Sequence, residues 1–162
     1  MHYDFELYLD NAINIRYHAV LIDMNKTERL IQKKNLLLAT DGKPHSMKAA
    51  QYAIELANLA SSKLYMIYVV SKSNESEKQA SIDEGMEKLE ELKELASASG
   101  VEATALLEGG DIYEAVIDAA ERLQVGAVIV GTSGKSTLGR VLIGSVSEFI
   151  YRNSRCSVIV VR

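Results

Sequence analysis

From Asn35 to Arg162 the sequence alternates five short apolar runs with four longer stretches whose apolar residues recur every three or four positions. The runs are 36–40, 64–70, 101–107, 127–130 and 157–161. At four to seven residues, rich in Val, Ile, Leu and Tyr, they are too short for stable helices and suit strands buried on both faces. The stretches between them have helical spacing. The first carries Ala50, Ala53, Ile54, Ala57 and Ala60, and the second Ile82, Met86, Leu89, Leu92 and Ala96. The third carries Ile112, Ala115, Val116, Ala119, Ala120 and Leu123, and the fourth runs from Ser145 to about Tyr151. This alternation predicts an α/β fold: an open, doubly wound, mostly parallel five-stranded sheet with helices on both faces. Parallel neighbours need a crossover, and a helix both crosses over and covers the sheet. Ligands of such sheets sit beyond the carboxyl ends of the strands, where the strand order reverses. That edge should carry Thr40 and Asp41, Val69 and Val70, and whatever follows the fourth strand.

The element boundaries have their own signals. Pro44 is expected just before the first turn of the first helix, with Ser46 as its cap. Residues 71–81 are polar and read as a loop. The charged run 87–94 reads as a solvated helix face supported by i,i+3 and i,i+4 pairs. Gly100 is a C-terminal stop, and Asp111, after Gly109 and Gly110, is an N-cap. Residues 1–34 differ from the rest. Phe5, Leu7 and Leu9 alternate with polar neighbours, as do Ile13, Ile15, Tyr17 and Ala19, around a turn dipeptide at Asp10 and Asn11. They read as an N-terminal extension, a hairpin and a linker, ahead of a single domain spanning 35–162. Met24 is an alternative start.

Composition narrows the function classes. A net charge of −4 lacks the basic stripe of a nucleic-acid surface. A lone cysteine, Cys156, excludes an internal disulfide and fits a reducing cytoplasm. No apolar run approaches 18 residues and the first residues are not a leader, so neither membrane span nor signal peptide is expected.

The fourth strand runs into Gly131-Thr132-Ser133-Gly134-Lys135, continues to Gly139, and reaches Gly144-Ser145-Val146-Ser147 at a helix start. A buried strand, a glycine-rich loop and a helix N-terminus together favour an anionic phosphate chain, because the backbone can approach it and unpaired N–H groups face it. Two phosphate-loop geometries fail on spacing. A Walker A loop ending at Gly134-Lys135-Ser136 needs glycine where Ile129 stands, and Asp41-Gly42-Lys43-Pro44 is not a dinucleotide fingerprint.

The pattern Gly131, two residues, Gly134, nine residues, Gly144, Ser145 resembles that of the universal stress protein family in its ATP-binding branch. Leu38-Ala39-Thr40-Asp41-Gly42 with Ser46 is similar to that family's first strand and loop, and Gly110-Asp111 to its turn before the third helix. The segments 144–151 and 158–162 are similar to its last helix and strand. The resemblance covers about 35–162 and implies strand order 3-2-1-4-5. It implies a bound ATP, or ADP or AMP, with the nucleoside near Ala39, Thr40, Asp41 and Val69. The phosphates would lie near Gly131, Ser133, Gly134 and Lys135 on one side and Gly144, Ser145, Val146 and Ser147 on the other. Ser145 and Ser147 would add hydroxyl donors, Lys135 one positive charge, and Mg²⁺ would ride on the ligand's phosphates with no protein metal site.

Gly126, Ser157 and Lys43 depart from the family's usual Asp, Pro and Ser without touching the glycine pattern. His45 stands near the crevice with nothing in the sequence to orient it. No catalytic constellation accompanies the loop: His2, His18 and His45 lack a Ser or Cys partner. The expected function is therefore a nucleotide-holding regulatory or stress-response module with little or no hydrolysis. The alternatives are an adenylate-forming or ATP-hydrolysing enzyme of a related fold, and a scaffold without nucleotide. The apolar run 158–161 lies where a sheet edge is expected, and an uncovered edge is a liability. The N-terminal hairpin or a second chain can cover it, and the resemblance implies a homodimer through that strand.

Overall fold

The computed structural model describes residues 35–71, 75–132 and 144–162. The N-terminal hairpin expected in 1–34 lies outside the described residues. The elements run β1 (Leu36–Ala39), α1 (Pro44–Ala60), β2 (Leu64–Val70), α2 (Glu75–Ala98), β3 (Ala103–Gly109), α3 (Ile112–Arg122), β4 (Ala127–Gly131), α4 (Ser145–Asn153) and β5 (Ser157–Val161). The sheet order is β3-β2-β1-β4-β5, and every pairing is parallel. Leu36 stands opposite Leu64 on one side and Ala127 on the other, so the central strand is locked from both flanks.

Alternation along the strands sorts the core into two layers. Leu36, Leu38, Met66, Ile129 and Ile159 face α1 and α2, meeting Ala49, Ala50, Ala53 and Ala57 of one helix and Leu89, Leu92 and Ala96 of the other. Leu37, Ile67, Val128, Val130, Val158 and Val160 face α3 and α4, meeting Val116, Ala119, Ala120 and Ile150. Each large side chain buried in this way contributes roughly 1.5–3 kcal/mol. Among the described residues, no helix is long and apolar enough to cross a membrane.

Three local expectations change. α2 begins at Glu75, inside the stretch read as loop, because its first turns are polar in sequence, with 77–80 exposed, and leave no apolar signal. β3 lies two residues later than expected. Ser46 is not the cap of α1: Lys43 is, without a side-chain cap bond, and Pro44 opens the helix. Asp111 does cap α3, accepting from the Tyr113 and Glu114 N–H groups at 2.8 and 3.2 Å. At Gly100 (φ +75°) the chain turns left-handed, and the Gly100 and Val101 N–H groups bond back to the Ser97 and Ala96 carbonyls. This double closure satisfies carbonyls that the helix leaves unpaired.

Gly85 sets how close α2 lies to the sheet. A Cβ there would stand 2.7 Å from Tyr68 Cδ1 and 2.8 Å from Leu107 Cδ1. Helix propensity alone favours Ala over Gly by about 1 kcal/mol. Overpacking opposes it by roughly 1–3 kcal/mol, and the Tyr68 ring is buried and has little room to move. Gly85→Ala should therefore lower the urea-unfolding free energy, by up to about 2 kcal/mol. An increase would show that the helix tolerates the methyl group and that propensity decides.

Candidate functional site

Strand order reverses between β1 and β4, and the chain leaves these two neighbours toward opposite faces, α1 covering one and α4 the other. A cleft opens there. Its floor is apolar: Ala39, Ile67, Val69 and Val130 at the strand ends, with Ile112 and Val116 from the first turns of α3. Such a surface accepts the flat face of a ring. The polar groups stand at the two sides.

One side is the β1–α1 loop. Asp41 Oδ1 accepts from the Lys43 N–H at 3.1 Å, while Oδ2 lies 3.4 Å from His45 Nε2 and 3.7 Å from Lys43 Nζ. Thr40 Oγ1 accepts from the Gly42 N–H at 3.1 Å and lies 3.0 Å from Ser46 Oγ. Ser46 has one proton and two acceptors for it, the Lys43 carbonyl at 2.9 Å and the Asp41 carboxylate. With Ser46 donating to the Lys43 carbonyl, a Thr40 hydroxyl that donates to Ser46 satisfies both contacts at once. Gly42 takes φ +69°, and a Cβ there would strike the Lys88 stem of α2 at 2.7 Å, so this turn requires glycine on both grounds.

The other side is the start of α4. Gly144 is its N-cap and supplies no side-chain acceptor, so the amides of its first turn face the cleft without a cap bond. Ser147 is buried and donates its hydroxyl to the Gly144 carbonyl at 2.9 Å. The two sides meet at Gly131, where a Cβ would lie 3.1 Å from the His45 carbonyl oxygen and 3.3 Å from Ser46 Cα. The missing side chain is what lets the end of β4 pass the first turn of α1.

Of the residues singled out from sequence, Ala39, Thr40, Asp41, Val69, Gly131, Gly144, Ser145, Val146 and Ser147 line this one cleft. Ser133, Gly134 and Lys135 lie outside the described residues. Ser147 changes character: its proton is held by the Gly144 carbonyl and is not a free donor. His45 changes too, since Asp41 orients it. Ile112 and Val116 were legible as a helix face, and the Asp111 cap fixes which turn of that face reaches the sheet edge. Tyr113, whose hydroxyl donates to Ser145 Oγ at 3.3 Å, carried no sequence signal. No group of three His, Cys, Asp or Glu side chains able to hold a metal ion occurs among the described residues.

The model of the universal stress protein family matches residues 33–162. A universal stress protein of Methanocaldococcus jannaschii is 32% identical over 159 residues, covering 91% of this chain and 92% of its own. That coverage exceeds what the family match alone supplies, so the likeness runs into the first 32 residues. Among solved structures, a universal stress protein in complex with cAMP superposes with a TM-score of 0.67 at 24% identity, covering 80% of this chain and 97% of that one. One from Archaeoglobus fulgidus in complex with dAMP gives 0.64 at 18% identity, covering 79% and 97%.

Half-burial raises the Asp41 pKa, but the Lys43 N–H, the Ser46 hydroxyl and the charges of His45 and Lys43 outweigh it and hold the group below the usual carboxylate value of 3.8. A depressed folded-state pKa contributes stability that is present above the unfolded value and lost as pH falls through the folded one. Asp41→Asn should therefore be less stable than the parent near neutral pH, with the gap closing below about pH 3.8. Denaturant titrations of both proteins across that range check the sign. A gap that widens in acid would mean that the surroundings disfavour the charge.

Proposed function

Because this chain belongs to the universal stress protein family, we propose that it holds an adenine nucleotide, ATP foremost, and acts as a regulatory module in the bound state with little or no hydrolysis. The observation that carries this reading is the convergence of Asp41, Val69, Gly131 and the uncapped start of α4 on one cleft. The apolar floor suits the base. The Asp41 carboxylate suits a ribose hydroxyl, being a charged acceptor at the end of β1. The amides of Ser145, Val146 and Ser147, at the positive end of a helix dipole, suit a phosphate. Ser133, Gly134 and Lys135 would complete the phosphate side, the lysine adding one compensating charge. Mg²⁺ would ride on the phosphates, whose charge attracts it with few protein ligands. That same-fold proteins hold cAMP and dAMP supports an adenine nucleotide over other anions.

The same reading makes β5 a pairing edge. Among the described residues it pairs with β4 and ends the sheet, and a second copy of the chain would add to the sheet through it.

Isothermal titration of ATP into the parent protein and into the double variant Gly134→Val, Gly144→Val tests the site. The parent should bind, and the variant, checked for folding by circular dichroism, should lose at least tenfold in affinity, about 1.4 kcal/mol. Equal heats from both, or none from the parent, would sink the proposal. Rapid phosphate or pyrophosphate release during the titration would favour an enzyme instead. Light scattering at micromolar concentration should give twice the chain mass, and a monomer alone would remove the β5 interface.

A further inference from the structure

Four hydroxyls line the described part of the cleft, those of Thr40, Ser46, Ser145 and Ser147. Each has one proton to give. Thr40 and Ser46 share a hydrogen bond with each other and Ser46 reaches the Lys43 carbonyl, so both are engaged within the β1–α1 loop, and Ser147 gives its proton to the Gly144 carbonyl. Ser145 is different. It stands at the first residue of α4, exposed at the mouth of the cleft, and its oxygen accepts from Tyr113 at 3.3 Å. Its own proton is directed to no acceptor among the described residues.

Tyr113 is held in place for this. It is the second residue of α3, its N–H is fixed by the Asp111 cap, and its ring packs on Phe149 of α4 with centroids 4.9 Å apart at 56°. A tilted aromatic pair of this kind is favourable beyond the area it buries. The two helix starts are thus braced by the rings, while the phenol hydroxyl crosses to Ser145. A hydroxyl that accepts a hydrogen bond becomes a better donor and loses one of its own rotational choices.

We propose that Tyr113, outside the cleft wall, is a positioning residue: its hydroxyl occupies the Ser145 oxygen and turns the one available hydroxyl proton of the described cleft toward the ligand's phosphate. The inference rests on the reading of the cleft as a nucleotide site. It assigns Ser145 the donor role and removes Ser147 from it. It also makes recognition at this end depend on a phosphorylated ligand, since a nucleoside has nothing for Ser145 to reach.

Tyr113→Phe keeps the ring against Phe149 and deletes only the hydroxyl. Titration of the full chain with ATP and with adenosine then separates positioning from packing. ATP affinity should fall about three- to tenfold, the scale of one hydrogen bond, with adenosine affinity and the urea midpoint unchanged. In a Ser145→Ala background the same change should cost nothing further. Unchanged ATP affinity, or equal losses for ATP and adenosine, overturns the inference. A further loss in the Ser145→Ala background does so as well. A parent protein that binds neither ligand overturns the nucleotide reading itself, which distinguishes the two failures.

Discussion

The pairing of β1 with β2 on one side and β4 on the other is the constraint on which the rest depends. Both pairings are parallel, so every connection must return across the sheet, and each return is a helix. A central strand with parallel neighbours on both sides is buried on both faces, which is why Leu36, Leu37 and Leu38 are all apolar. The reversal of strand order at β1 and β4 then separates the chain leaving one from the chain leaving the other. The cleft is a consequence of this topology before any side chain lines it.

The side chains that do line it come from both core layers. Ile67 and Val130 belong to the layer under α3 and α4, whereas the Thr40–Ser46 loop leads into α1 on the opposite face. The Tyr113–Phe149 pair and the Tyr113–Ser145 bond join α3 to α4. Gly131, passing the His45 carbonyl, joins the end of β4 to α1. A ligand in the cleft would touch Ile67 and Val130 of one layer and the Thr40–Ser46 loop of the other at once. Anything that binds only the folded chain stabilises it by mass action, and here it would do so across the seam between the two layers.

Much of the fold was legible because its signals are periodic. Alternate strand residues and helical spacing survive in a single sequence, and so does glycine spacing where a turn needs it. Strand periodicity put Asp41 at the strand edge and glycine spacing singled out Gly131 and Gly144, while the roles expected of them came from the family resemblance. What escaped depends on tertiary approach. The polar start of α2 has no apolar stripe to betray it. Gly85 is explained by a ring and a leucine from two strands, Tyr68 and Leu107. Ser46 resembles a cap by type and position, but the extended backbone that a cap needs falls at Lys43. The direction of the Ser147 proton depends on the backbone of its own helix start, and the role of Tyr113 on a contact across 32 positions.

One consequence of the parallel sheet concerns electrostatics at long range. All four described helices begin at the carboxyl edge of the strands, so their dipoles point the same way, and the starts of α1, α3 and α4 border the cleft. Asp111 offsets part of this at α3, but α1 and α4 start without side-chain caps. Each such end carries about half an elementary charge. In a chain whose formal charge is −4, these partial charges stand against the carboxylates of Asp41, Asp111, Glu114 and Glu148 near the same edge. On the nucleotide reading, the backbone amides at the start of α4, and not a surplus of lysine or arginine, would meet the anion.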